Sequence, residues 1–215
     1  MVRLSRCACS ILSLTVLAVS HTAAGETVHV QTPSTSLVLE ANKGEELKFV
    51  YYGTGLGAEE IPGIVAAGIP DAKAYAAYGK YPDDETSLWV VHSDGNMTSR
   101  LVVRDVVTDS AGGSFVTKVM TSDDVYPFDV DVCYRTYPDS EVFETWTEIT
   151  NREKGEVLLT RYDSAYLPVH MGNVWVSHMA GTWANESRIV EEPLLPGVMR
   201  IRNKDGVRNS QTSRA

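Results

Sequence analysis

Cysteine is scarce in this chain. Of three in 215 residues, Cys7 and Cys9 lie in the N-terminal segment, so a chain that loses that segment keeps Cys133 alone and closes no internal disulfide. A domain without disulfides must be held by its apolar core, and roughly 190 residues can supply one, in one large domain or two small ones. Positive charge is also short. Nineteen lysines and arginines stand against 28 acids, for a net charge of −9, and such a chain offers no basic surface to a phosphate backbone. Nucleic acid is therefore excluded as a partner. The apolar run Cys7–Ser20 is too short to span a bilayer comfortably. No Gly-x-Ser-x-Gly elbow and no phosphate-cradling loop ending in Lys-Ser/Thr occurs, which leaves a serine-hydrolase or nucleotide reading without support. The glycine-rich Gly53-Thr54-Gly55-Leu56-Gly57 follows a strand without opening a helix, and reads as a turn. A helical period is missing too. Ile64–Ala77, rich in alanine and glycine, is the weak exception and reads as loop.

The N-terminal segment itself has the pattern of an export signal. Arg3 and Arg6 precede the apolar run, and small residues follow in His21-Thr22-Ala23-Ala24-Gly25. Residues 1–25 are expected to be a cleaved signal peptide, with the protein secreted or periplasmic. Their loss removes two basic residues and no acids, moving the net charge from −9 to −11. Cys7 and Cys9 sit before or at the start of the apolar run, where a lipoprotein cysteine would have to follow it.

What remains reads as strands. Phe128, Val130, Val132 and Tyr134 alternate along one face of a segment, and Phe143, Thr145, Thr147 and Ile149 along one face of the next, with Glu144, Trp146 and Glu148 opposite. Further strands are expected at Thr27–Val30, Leu47–Tyr52, Leu88–His92, Leu101–Val107, Phe115–Met120, Val157–Tyr166, Val174–His178 and Val198–Arg202. Turn signals separate them: Asp94-Gly95-Asn96, Ser110–Gly113, Pro138-Asp139-Ser140, Lys154-Gly155, Met171-Gly172-Asn173 and Lys204-Asp205-Gly206. The fold class is all-β, a large antiparallel β-sandwich with long loops, the longest being about Thr54 to Asp84.

Three groups of residues carry possible chemistry. The window "HMGNVWVSHMAGTWANE" sets His170, His178 and Glu186 eight residues apart. Zinc histidines on a helix sit three or four apart, and no further tight cluster supplies the remaining ligands, so sheet-edge histidines are the better reading and no metal is expected. Asp83-Asp84-Glu85 closes the long loop beside Tyr75, Tyr78 and Tyr81. Rings that cover a sugar's C–H face next to carboxylates that accept its hydroxyl protons suit a saccharide, although solvated turn acids and tyrosines that pack the loop explain the same residues. Asn96-Met97-Thr98 and Asn185-Glu186-Ser187 match the glycosylation triplet.

Taken in order, the stretches "LVLEANKGEELKFVYYGTGLG", "AYAAYGKY", "ETSLWVVHSDGNMTSRLVV", "CYRTYPDSEVFETWTEITNREKG", "SAYLPVHMGNVWVSHMAGTWANE" and "NKDGVRNS" make the chain resemble the N-terminal β-sandwich domain of glycoside hydrolase family 36 α-galactosidases, over residues 36 to 210. The resemblance implies a galactose-mutarotase-like supersandwich over residues 26–215, packed in the complete enzyme on a (β/α) barrel that holds both catalytic aspartates. It implies retaining hydrolysis of α-galactosidic bonds, no cofactor, and a galactose-containing oligosaccharide as ligand. A barrel typically takes about 250 residues, and with none here the chain is expected to be inactive alone, its partners being that missing barrel and, possible through an uncovered apolar patch, another copy of itself.

The resemblance also marks substrate-binding candidates. Relatives carry a Gly-Asp-aromatic-Arg sequence after Tyr-x-x-Tyr-Gly; here the loop reads Gly79-Lys80-Tyr81-Pro82-Asp83-Asp84, so the match is shifted and Asp83 or Asp84 takes the place. In the Gly-x-Trp-Ala-x-Glu segment, Trp183 and Asn185 are the candidates, Asn185 standing where many relatives have arginine. An amide lacks the guanidinium's charge and five donors, so recognition either differs or falls to another residue such as Arg188. Relatives also tend to have histidines where this chain shows Gln211, Ser213 and Arg214. A free-standing carbohydrate-binding sandwich and an oligomerisation module are the rival readings.

Overall fold

The computed structural model describes residues 26–68, 72–79, 85–168, 173–182, 184–195, 197–203 and 212–214. The chain divides into two compact units, Met1–Tyr166 and Leu167–Ala215. The first holds β1 (Thr27–Gln31), β2 (Thr35–Glu40), β3 (Lys48–Thr54), α1 (Ile61–Ala67), β4 (Leu88–Val91), β5 (Leu101–Ala111), β6 (Ser114–Asp123), β7 (Phe128–Thr136), β8 (Phe143–Asn151) and β9 (Leu158–Tyr162). The second holds β10 (Trp175–Thr182), β11 (Asn185–Pro193), β12 (Ile201–Asn203) and β13 (Thr212–Arg214).

In the first unit the strands form an antiparallel sheet β1-β2-β3, a second in the order β5-β6-β7-β8, and the pair β4-β9. The alternation in β7 places Phe128, Val130 and Val132 on its inner face, all but sealed from solvent, and these meet Val28, Val30, Leu37, Leu39 and Phe49 of the other sheet in one apolar core. Register carries the pattern across: Val130 pairs with Ile149, Val132 with Thr147 and Tyr134 with Thr145, so the inner face of β8 is the one its sequence alternation marks. The architecture is the all-β antiparallel sandwich expected. β5 and β6 are joined at Gly112-Gly113, whose φ values of 63° and 78° give the left-handed pair that a two-residue hairpin matched to strand twist requires.

Three strands escape the alternation rule. In β2, Ser36 to Leu39 are all buried, so Leu37-Val38-Leu39 is a continuous apolar run rather than an alternating one. β11 is mostly exposed and carries almost no pattern, and β13 has three residues. The long excursion after β3 also differs from the loop expected there. It contains α1, begun by Pro62 in its first turn and ended before Gly68, with no buried residue of its own. The turn signals at Met171-Gly172 and Lys204–Gly206 lie outside the described residues, as do the N-terminal segment 1–25 and His170.

Candidate functional site

Two segments were marked for sugar contact, one in each unit. In the first unit the acidic segment lies between Gly79 and Glu85; Tyr81, Asp83 and Asp84 lie outside the described residues. Both ends of the loop are anchored. Ala77 bridges Leu88, and the Tyr78 N–H donates to the Leu88 carbonyl at 2.9 Å. Gly79 sits at φ +134° against the backbone of Thr98, where a Cβ would come within 2.7 Å of Thr98 Cα; only glycine fits. On the return side Glu85 pairs with Arg161, which also reaches Asp163 at 3.1 Å. The tyrosines split between roles. Tyr75 belongs to the core, its hydroxyl donating to the Asp163 carbonyl at 3.0 Å, and burial pushes that phenol up to about 12. Tyr78 stacks on Trp89, ring centroids 4.5 Å apart and 9° from parallel. Packing of the loop, not an open ring face, accounts for Tyr75.

Behind Gly79 lies a buried polar cluster that sequence inspection missed. His92 is enclosed, its Nδ1–H donating to Glu153 Oε1 at 2.7 Å while Nε2 meets Ser99 Oγ at 2.8 Å. Glu153 also accepts from the Ser93 N–H at 3.0 Å and its hydroxyl at 2.7 Å. Burial alone would raise the Glu153 carboxyl, yet the bonds from His92 and Ser93 outweigh it and hold the group below the ordinary range. Tyr126 covers the imidazole, stacked at 3.7 Å and tied to Asp94 and Asn96 through its hydroxyl.

The order Ser99–His92–Glu153 is that of a nucleophilic triad, but the chemistry is absent. Ser99 is only 4% exposed. Its N–H is taken by the Tyr78 carbonyl and the next, of Arg100, by Asp123, so neither is left to stabilise an oxyanion. The cluster is a lock that fixes the 92–100 segment against which Gly79 packs. Nothing in the local sequence around His92 signals it, because Glu153 arrives from a distant turn.

In the second unit, β10 and β11 form a hairpin whose register shifts between Ala180 and Thr182. Trp183 lies outside the described residues. Asn185 opens β11 opposite Thr182 and is exposed. The turn is irregular: Ala184 and Ser187 take φ values of 62° and 60°, and the Ala184 N–H donates to Glu186 Oε1 at 3.1 Å. Glu186 is thus engaged in shaping the tip that presents Asn185. His178 sits mid-strand opposite Val190, half-buried, as expected of a sheet histidine. Of the four substrate-binding candidates, the described residues place Asn185 alone.

An antiparallel sandwich in the first unit and a strand hairpin in the second define an all-β class of domain. Residues 45–214 match the glycosyl hydrolase family 36 N-terminal domain, and the chain belongs to that family. No curated protein sequence matches it. Among solved structures, an α-galactosidase from Geobacillus stearothermophilus in complex with stachyose is similar in fold at 17% identity, with a TM-score of 0.72 over 87% of this chain and 30% of that one. The raffinose complex of an α-galactosidase from the same organism has a TM-score of 0.70 at 17% identity, with the same coverage. The Lactobacillus brevis α-galactosidase has a TM-score of 0.66 at 20% identity, over 86% of this chain and 29% of that one. The chain spans about 30% of the length of the solved chains it matches.

Proposed function

We propose that the chain is the N-terminal domain of a retaining α-galactosidase that removes terminal α-D-galactosyl residues from oligosaccharides, and that it serves there as scaffold and as one edge of the sugar pocket. The observation that carries this reading is the family match across residues 45–214. The anchored loop ends at Gly79 and Glu85 support it, since a pocket edge must be held in place before a ligand arrives. Hydrolysis is proposed for the whole protein and not for these 215 residues, and the N-terminal segment is proposed to direct export to the periplasm or beyond.

The test has two parts. The purified chain should leave a chromogenic α-galactoside uncut, whereas the whole protein should cleave it with retention at the anomeric carbon, followed by NMR. Failure of the whole protein to cleave α-galactosides would sink the reading, as would cleavage by the chain alone. Asn185→Arg in the whole enzyme should change galactoside KM with a smaller change in kcat, because the added guanidinium contributes binding rather than chemistry. An unchanged KM counts against a role for position 185.

A further inference from the structure

Ser36 is sealed on the side of β2 that faces away from the core. It is 0% exposed, as is Val38 two positions on, while Leu37 and Leu39 turn the other way into the apolar cluster. Its hydroxyl oxygen has two partners. The Leu56 N–H donates to it at 2.9 Å from the segment that joins β3 to α1, and His29 Nε2 of β1 lies 2.8 Å away. His29 stands opposite Val38 in the ladder, on the same face, and is half-buried. A neighbouring bond brings the segment down onto the sheet. The Gly55 N–H donates to the Ser34 carbonyl at 2.7 Å, and a Cβ on Gly55 would come within 3.3 Å of that same carbonyl. Beyond the segment, α1 buries no residue of its own.

The donor and acceptor roles follow from the groups present. A backbone N–H can only donate, so Ser36 Oγ accepts from Leu56, and the hydroxyl proton needs an acceptor of its own in a sealed site. His29 Nε2 is the acceptor within reach, which makes the imidazole neutral with its proton on Nδ1. Burial pushes His29 below its ordinary value, in the direction that keeps it neutral. The ionisable groups that share this face or flank it are Glu40 of β2, Lys48 and Tyr51 of β3, Glu26 before β1, and Glu59 and Glu60 before α1. Glu40 and Lys48 approach each other at 3.9 Å, Tyr51 donates to the Thr54 carbonyl, and Glu60 accepts from the Gly57 N–H. Burial, and not a neighbouring charge, is what moves His29. Protonation at Nε2 would turn an acceptor into a second donor aimed at Ser36 Oγ. The hydroxyl proton would then lose its acceptor, and the oxygen would be contested between His29 and Leu56.

We propose that His29, Ser36 and Leu56 form an acid-sensitive latch, in which the neutral imidazole fastens the segment between β3 and α1 to the first sheet and protonation at Nε2 releases it. The folded imidazole resists protonation, so the latch is complete above the ordinary histidine range and is lost as pH falls through the folded value. It does not depend on galactoside cleavage, and the full chain is the material for its test.

Nitrogen NMR of the parent chain at about pH 7.5 should show His29 with Nε2 unprotonated. Between about pH 7.5 and about pH 5, exchange of the Leu56 amide, corrected for its intrinsic rate, should lose about tenfold in protection, the equivalent of one hydrogen bond. The Ala41 amide, which donates to the Glu26 carbonyl in the same sheet, should keep its protection. His29→Gln supplies an amide oxygen that accepts the Ser36 proton at either pH, and should make Leu56 protection independent of pH. Ser36→Ala should leave Leu56 weakly protected at both. A protonated Nε2 at the higher pH, Leu56 protection unmoved by acid, or the same acid loss in His29→Gln would each overturn the proposal. If a variant does not fold, the two measurements on the parent chain still decide.

Discussion

Gly79 and Glu153 are the residues on which the loop side of the first unit depends most directly. A Cβ at position 79 would collide with the backbone of Thr98, and no side-chain rotation relieves that contact. Gly79→Ala should therefore lower the stability of the chain by at least about 2 kcal/mol in urea titration; a neutral result would mean that the 92–100 segment yields easily. Glu153→Gln should cost about 1–3 kcal/mol at neutral pH by weakening the hold on His92. The pH dependence has a definite sign. The folded carboxyl lies below its unfolded value, so its contribution is fully present above the ordinary carboxylate range and is lost as pH falls through the folded value. The gap in urea midpoint between the parent chain and Glu153→Gln should close on acidification, and a gap that widens instead would contradict the assignment. Neither residue stood out in the sequence, since a glycine and a turn glutamate are common and their partners lie far along the chain.

At the scale of elements, strands with one wet face were legible. β7 and β8 were read residue by residue from alternation, because a half-buried strand exposes every second side chain to a different solvent. Alternation fails when both faces are buried, as in β2, or both exposed, as in β11. The helix α1 was missed for a related reason: it buries no residue, so no apolar stripe records it. β7 also contains the lone described cysteine. Cys133 is buried beside Glu148, and burial first, then that carboxylate, pushes the thiol up to about 12. It should resist iodoacetamide in weakly alkaline buffer and react fully once urea opens the sandwich. Mass spectrometry would show this, and rapid labelling of the folded chain would refute it.

For the whole molecule, the two units differ in how much apolar surface they bury. The first encloses a core drawn from two sheets. In the hairpin of the second, Trp175, Met179 and Ile189 stand 63%, 52% and 72% exposed on one face. Amides of β6 and β7 should consequently exchange only through large-scale unfolding, while those of β10 and β11 open at lower free energy. Hydrogen-exchange mass spectrometry checks this, and equal protection in both units would show that the hairpin's exposed face is covered in solution.

The sequence by itself determined the strand class, the inward face of the alternating strands, the acidity and the family resemblance, because each rests on local periodicity, composition or a run of contiguous residues. Of the candidate sugar contacts it marked, the described residues include Asn185 alone, at the exposed start of β11. Only the tertiary structure decided which strands pair, as β4 does with the distant β9, and which buried polar groups meet, as His92 does with Glu153. These features depend on groups brought together from far apart in the chain, and a hydrogen bond between such groups leaves no period in the residues that make it.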